Sequence, residues 1–218
     1  YSISDSAANA LTTLDQGYNE AVNITITGNL TVAKADVIKE AGNSGDKTYV
    51  IEDSAAAITA AVTGTTGATT DVQTLSSATS VTANTSATFA EAATIAGIAT
   101  TISYSISDEQ ANIPGSTTGA LNEAINIVIT NNVTFAQAKI VDDASNSGSN
   151  TYNINDTAQN IATGVVTSVL AVSGAGTVTS STEATGPQSA IMASISKSIA
   201  YSISDTAANI VANIGGLN

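Results

Sequence analysis

Short runs in which apolar and polar residues alternate recur along the whole chain. Residues 23–27 read NITIT and residues 104–107 read YSIS, and Ile26 and Ile106 stand at their centres. Alternation with a period of two is typical of a strand that has one buried face. The sequence therefore predicts many short strands, with isoleucine or valine directed into a core.

Each run is followed by an alanine-rich stretch with helical spacing. In one stretch Ala33, Val37 and Ala41 fall on one predicted helix face. Another stretch has apolar residues at positions i, i+3, i+4 and i+7, namely Phe89, Ala92, Ala93 and Ala96. Thr31 and Thr134 directly precede such stretches, where a hydroxyl N-cap is expected, and Asn-Ser-Gly follows at 43–45 and 146–148. These patterns predict short capped helices.

One motif occurs five times, and each copy begins with a tyrosine. The copies are YSISDSAAN at 1–9, YVIEDSAAAI at 49–58, YSISDEQANI at 104–113, YNINDTAQNI at 152–161 and YSISDTAANI at 201–210. A second motif lies between them, with its clearest copies at 23–45 and 126–148. Residues 19–58 align with residues 122–161 without a gap, with 21 identities in 40 positions. The centres of successive strands are about 25 residues apart, so a turn consists of one strand and one helix.

Strands that are joined through helices run parallel, and such crossovers are right-handed. We therefore expect an α/β fold, a right-handed solenoid of about nine turns with a parallel sheet. Two β-sandwich repeats of about 100 residues each are the alternative. The expected divisions are 1–103, 104–200 and 201–218, with an insertion loop at about 63–77.

The composition excludes many kinds of chemistry. The 218 residues include 18 acids and five lysines, which gives a net charge of −13, and the chain has no Arg, His, Cys or Trp. Without His or Cys there is no nucleophile activated by imidazole and no cysteine-ligated metal centre. The negative charge opposes binding to nucleic acid, and no run of about 18 apolar residues predicts insertion into a membrane. We expect no enzymatic activity and no catalytic or cofactor-binding residues.

The aspartates of the tyrosine motif are the sharpest candidate sites, and they are Asp5, Asp53, Asp108, Asp156 and Asp205. Each precedes an alanine-rich stretch, so each is expected to cap a helix. Calcium is the alternative, but carboxylates on every second turn would lie about 9–10 Å apart, since neighbouring strands are about 4.8 Å apart. The metal prediction therefore stays open, and no cofactor is expected.

The Tyr-x-Ile-x-Asp-[Ser/Thr]-Ala-x-Asn-Ile motif, with Asn-Ile-x-Ile-Thr-x-Asn between its copies, resembles repeats of large bacterial surface and secreted proteins of the adhesin or surface-layer type. The resemblance covers essentially the whole chain. It implies an extracellular or cell-surface location and a structural role in a stalk, lattice or filament. An adhesin module that binds glycan or a partner protein is the alternative.

The two ends of the chain carry the same motif, and neither has the polar cap that a solenoid requires. Ile210, Val211 and Ile214 keep the last turn apolar. An uncapped turn exposes a strand edge that can pair with another strand. We therefore expect head-to-tail self-association or a longer array that continues through both ends.

Overall fold

The chain forms two compact units of parallel strands and short helices. The computed structural model describes residues 1–10, 15–64, 71–98 and 100–213. Unit 1 comprises Tyr1–Ile106 with Glu123–Ile125, and unit 2 comprises Ser107–Asn122 with Asn126–Asn218.

In both units, successive strands of a sheet are joined by one or two helices. The described elements from the first half of the chain are β1 (Ile3–Ser6), α1 (Gln16–Glu20), β2 (Ile24–Leu30), α2 (Val32–Glu40), β3 (Lys47–Asp53), α3 (Ala55–Thr63), α4 (Asp71–Ser77), β4 (Ser80–Ala83), α5 (Phe89–Ile95) and β5 (Ile102–Ser103). Those from the second half are β6 (Ile106–Asp108), a 3₁₀ turn at Gln110–Asn112, α6 (Gly119–Glu123), β7 (Ile127–Val133), α7 (Phe135–Asp142), β8 (Asn150–Asp156), α8 (Ala158–Thr167), α9 (Val169–Gly174), β9 (Val178–Ser180), α10 (Gly186–Ala193) and α11 (Ala207–Asn213).

Strands that follow each other in the sequence are neighbours in the sheets. The order is β1-β2-β3-β4-β5 in one sheet and β6-β7-β8-β9 in the other. The pairs are parallel, with Ile3 opposite Ile24 in the first sheet and Ile154 opposite Val178 in the second. Because each parallel neighbour is reached through a helical connection, the predicted α/β class with parallel sheets is confirmed. The alternative of two β-sandwich repeats is not supported.

The predicted ladder of isoleucines lies in the core. Ile51, Ile106 and Ile154 are at most 1% exposed, and Ile26 and Ile129 are 4% exposed. Ile203, at the equivalent position of the last tyrosine-motif copy, is only half-buried. It pairs with Ala184 on one side, and no described strand covers its other side.

The predicted helix faces are correct at Ala41, Phe89 and Ala92, which are buried, but not throughout. In α2 the buried side chains are Val32, Ala35 and Ile38, whereas Ala33 is exposed and Val37 is half-buried. The predicted N-cap is correct, since the Thr31 hydroxyl accepts a hydrogen bond from the backbone N–H of Lys34 at 3.4 Å.

Two local predictions are wrong. Part of the predicted insertion loop is helical, because α4 begins at Asp71 and buries Leu75 and Thr74. Residues 65–70 of that loop lie outside the described residues. In the copy at 104–113, strand β6 is followed by a 3₁₀ turn where a helix was expected, since Pro114 comes next and disfavours the helical region for Ile113.

Candidate functional site: contacts between successive turns

Three of the five motif aspartates hold the helices of the preceding turns. Asp53 Oδ2 accepts the backbone N–H of Val32 at 3.0 Å, and Val32 is the first residue of α2. Asp156 Oδ2 accepts the N–H of Phe135, the first residue of α7, at 2.8 Å. Asp205 does the same for Gly186 at the start of α10, at 2.9 Å. Each carboxylate therefore ties its own strand to a helix about 20 residues earlier.

The aspartates cap helices, but not the helices that the sequence analysis assigned to them. The N-cap of α8 is Thr157, whose hydroxyl accepts from the N–H of Asn160 at 3.2 Å. Asp156 stands one residue before this N-cap. Its Oδ1 accepts from the Thr157 N–H at 2.7 Å and from the Asn160 side chain at 2.8 Å. One carboxylate thus accepts hydrogen bonds from two successive turns.

Threonine hydroxyls accept the first N–H of the helices in the tyrosine-motif turns. The Thr85 hydroxyl accepts the N–H of Ala55, the first residue of α3, at 3.0 Å. The Thr182 hydroxyl accepts the N–H of Ala158, the first residue of α8, at 3.0 Å. A helix leaves its first N–H groups without an internal partner. Here the following turn supplies the acceptor, which is a carboxylate for one helix and a hydroxyl for the next.

Asparagines form a second set of links between turns. Asn23 Oδ1 accepts the N–H of Asp46 at 2.9 Å, and the equivalent Asn126 accepts the N–H of Ser149 at 2.9 Å. Asn153 accepts the N–H of Thr177 at 2.8 Å. Each bond spans 23 or 24 residues. This role was not predicted, although Asn23 and Asn126 recur at the offset of 103 residues.

Three motif tyrosines are core side chains. Tyr49, Tyr104 and Tyr152 are at most 1% exposed. The Tyr49 hydroxyl donates to the backbone oxygen of Thr74 at 3.0 Å, and the Tyr152 hydroxyl donates to that of Ala171 at 2.9 Å. Burial raises the pKa of Tyr49 to about 12 and, with the nearby charge of Glu123, that of Tyr104 to about 12.

Asp142 and Asp143, at the C-terminal end of α7, differ in environment. Asp143 forms an ion pair with Lys139, and both side chains are about half exposed. Burial, opposed by the hydrogen bond from Tyr152, raises the pKa of Asp142 above its usual range. Within the described ranges, no three acidic side chains come close enough together to hold a metal ion.

The surface grooves contain few ionisable groups. A groove of about 400 Å³ between α8 and α10 is lined by uncharged side chains, among them Ala162, Val166 and Ile191. Another of about 410 Å³ has Lys197 as its one ionisable lining residue, and Lys197 donates to the backbone oxygen of Gly176 at 3.0 Å. A pair of carboxylates for acid–base chemistry lines neither groove.

None of the described helices is long and apolar enough to cross a membrane. No family model matches the chain, and no curated protein or solved structure matches it either.

Proposed function

We propose that the chain is a structural, non-enzymatic repeat protein, a subunit or segment of an extracellular stalk, lattice or filament at the cell surface. The observation that carries the proposal is the set of bonds between successive turns. Asp53, Asp156 and Asp205 use one oxygen for their own turn and the other for the turn before. Side chains that elsewhere would bind a ligand are thus used to join one turn to the next.

The proposed architecture is a right-handed solenoid of about nine turns. The parallel order of each sheet supports it, as do the links of 21 to 24 residues that recur in both units. In a solenoid each turn contacts only its neighbours, so the structure transmits load along its axis.

Spin labels on introduced cysteines test this architecture, because the chain has no cysteine of its own. Ser4 and Thr179 lie on β1 and β9. The proposed stack counts β5 and β6, which are only two residues apart, as one turn, so it separates the two sites by seven strand spacings, about 34 Å at about 4.8 Å each. Labels at Ser4 and Ser103 are the matched control within unit 1, at four spacings or about 19 Å. If the control pair gives its expected distance and the long pair does not, the two units do not form one solenoid.

Head-to-tail self-association is part of the proposed function. Light scattering at tens of micromolar protein, with and without residues 201–218, measures it. Association that requires these residues supports the proposal, and a chain that stays monomeric under all conditions contradicts this part of it.

An adhesin module is the second candidate, and the groove between α8 and α10 favours it. The polar side chains of Gln159 and Gln188 line this groove beside Ala162 and Ile191, a mixture that suits a small polar ligand. A glycan array separates the two candidates. A scaffold gives no specific signal, whereas an adhesin gives a signal that a Gln188→Ala variant loses.

A further inference from the structure

We infer that Asp142, Tyr152 and the backbone carbonyl of Ala171 form a hydrogen-bonded bridge that holds α9 against α7 more tightly when Asp142 carries a proton. Asp142 is the last residue of α7, Tyr152 lies on β8, and Ala171 lies in α9. The Tyr152 hydroxyl is the middle member of this α7–α9 bridge. Its oxygen lies 2.9 Å from the Ala171 oxygen and 3.3 Å from Asp142 Oδ1.

The Tyr152 hydroxyl has one hydrogen and faces two acceptors. A backbone carbonyl and an ionised carboxylate can only accept hydrogen bonds. Bonds between a hydroxyl and an oxygen acceptor are about 2.5–3.0 Å long, so the distance of 2.9 Å assigns the hydrogen to the Ala171 oxygen. While Asp142 is ionised, its Oδ1 therefore faces the lone pairs of the tyrosine oxygen at 3.3 Å, and no well-formed hydrogen bond joins the two atoms.

Protonation of Asp142 supplies the missing hydrogen. A carboxylic acid has one O–H donor, and a phenol oxygen can accept a bond while its own hydrogen is donated elsewhere. The protonated Asp142 then donates to Tyr152, which donates to Ala171. Consecutive hydrogen bonds of this kind polarise and strengthen each other. The bridge from α7 to α9 is therefore complete only in the protonated state.

The surroundings of the bridge favour the uncharged acid. Tyr152 is 1% exposed, and α9 ends at Gly174, where a Cβ would lie 3.2 Å from the tyrosine oxygen and 3.5 Å from Asp142 Oδ1. The absence of a side chain at Gly174 lets α9 approach both oxygens. Burial disfavours the charged form of a carboxyl and raises the pKa of Asp142 above its usual range.

Few other charges lie near Asp142. On α7 itself, Asp143 disfavours its ionisation and Lys139 favours it. Among the elements packed against α7, the strand β7 and the helices α8 and α9 contain no titratable side chain. Besides the bridge tyrosine, β8 contributes Asp156, which binds the opposite end of α7. The charge of Glu123 at the end of α6 acts on a different tyrosine.

Unit 1 has the tyrosine of this bridge without the acid. At the offset of 103 residues, Tyr49 is the counterpart of Tyr152 and Lys39 is the counterpart of Asp142. The Tyr49 hydroxyl donates to the backbone oxygen of Thr74 in α4 at 3.0 Å, as Tyr152 does to Ala171. A lysine ammonium gains no proton in acid. The response to acid is therefore expected in unit 2, and unit 1 provides an internal control.

A Tyr152→Phe variant tests the direction of the hydrogen bond between Tyr152 and Asp142. In the bridge the tyrosine oxygen accepts from the protonated acid, so its removal should lower the pKa of Asp142. If the tyrosine instead donates to the carboxylate, its removal should raise that pKa, because the charged form loses a donor. Carbon-13 NMR titration of the carboxyl groups measures the change, with Asp143 as the reference. A pKa of Asp142 that rises or stays the same in this variant would overturn the inference.

Amide hydrogen exchange measures how tightly α9 is held, and it does not require Tyr152→Phe to fold. The protection of the α9 amides, corrected for intrinsic exchange rates, should be highest near pH 4, about the pKa of Asp in an unfolded chain. It should decrease as the pH rises through the raised pKa of Asp142 in the folded chain. The decrease is about tenfold for each pH unit that separates these two pKa values.

Asp142→Asn is the variant that imitates the protonated acid. Its side-chain amide donates at every pH and cannot ionise, so the α9 amides should keep their protection up to neutral pH. Asp143→Asn is the matched control and should retain the pH dependence of the parent chain. The α4 amides of unit 1 should gain no protection in acid. Protection of the α9 amides that does not change between about pH 4 and pH 7 in the parent chain would disprove the bridge.

Discussion

Removal of the Asp156 carboxylate should loosen two turns at once. Asp156 is 8% exposed and accepts three hydrogen bonds, from the N–H groups of Phe135 and Thr157 and from the side chain of Asn160. An Asp156→Ala variant leaves all three donors without this acceptor. Because Phe135 begins α7 and Thr157 caps α8, the change affects the start of both helices.

The magnitude follows from how readily water replaces each bond. The Phe135 N–H is held by the side chain of a buried residue, and its loss should cost about 1–3 kcal/mol. Asn160 is exposed and Thr157 is half-buried, so water compensates in part and each of these bonds contributes about 0.5–1 kcal/mol. We expect a decrease in the free energy of unfolding of about 3 kcal/mol, which is a large share of the about 5–15 kcal/mol of a typical domain.

Urea denaturation followed by circular dichroism measures this decrease, and amide hydrogen exchange locates it. The Phe135 amide should lose protection in the variant. Asp143→Ala is the matched control, because Asp143 is in the same unit and only forms an exposed ion pair with Lys139 that is worth about 0.3–0.5 kcal/mol. A loss below about 1 kcal/mol, with unchanged protection of the Phe135 amide, would refute the assignment of this carboxylate as a link between turns.

Other changes test the core, the packing and the absence of a structural metal. Ile129→Ala should lower the free energy of unfolding by about 2–5 kcal/mol, because Ile129 is 4% exposed, whereas Val128→Ala on the exposed face should cost far less. If both variants lose the same free energy of unfolding in denaturation experiments, the assignment of Ile129 to the buried face of β7 is wrong. Gly164→Ala should lower the free energy of unfolding by about 1–3 kcal/mol, since the added Cβ would lie 2.5 Å from a ring carbon of Phe135. Gly115→Ala, with open space around it, should leave the free energy of unfolding unchanged. Burial raises the pKa of Tyr49 from 10.0 to about 12, so the stability that this tyrosine contributes is present below pH 10 and is lost as the pH rises toward 12. Denaturation midpoints across this range measure that loss, and a constant midpoint would contradict it. EDTA should leave the melting temperature unchanged, because the carboxylate oxygens of Asp53, Asp156 and Asp205 already accept backbone N–H groups.

The strands and their parallel order could be predicted because a period of two and a period of about 25 residues are both visible in the sequence. The repeat at offset 103 places Ile26 and Ile129 at equivalent positions, and both are buried. Burial of such residues follows from local alternation, which needs no knowledge of the neighbouring turn.

The contacts between turns were less accessible to sequence reasoning. Asp156 carries a capping signal for the helix that follows it, but its second oxygen binds Phe135, which is 21 residues earlier. The helix α4 was missed because its sequence, DVQTLSS, has few apolar residues. Its burial depends on tertiary contacts, such as the hydrogen bond that Tyr49 donates to Thr74. Contacts between residues so far apart produce no periodic pattern in the sequence.

The alternation of carboxylate and hydroxyl acceptors has a consequence for how such a chain can change in length. Asp53 accepts the first N–H of a helix of the second motif, whereas Thr85 accepts the first N–H of a helix of the tyrosine motif. Duplication or loss of a single turn would place two turns of the same motif side by side. At that junction the acceptor side chain of one turn would face a helix of the other motif than the one it normally binds. Duplication or loss of a pair preserves every junction. Recombination within the gene should therefore be tolerated in steps of about 49 residues, the usual distance between the tyrosines, so that repeat number varies by whole pairs.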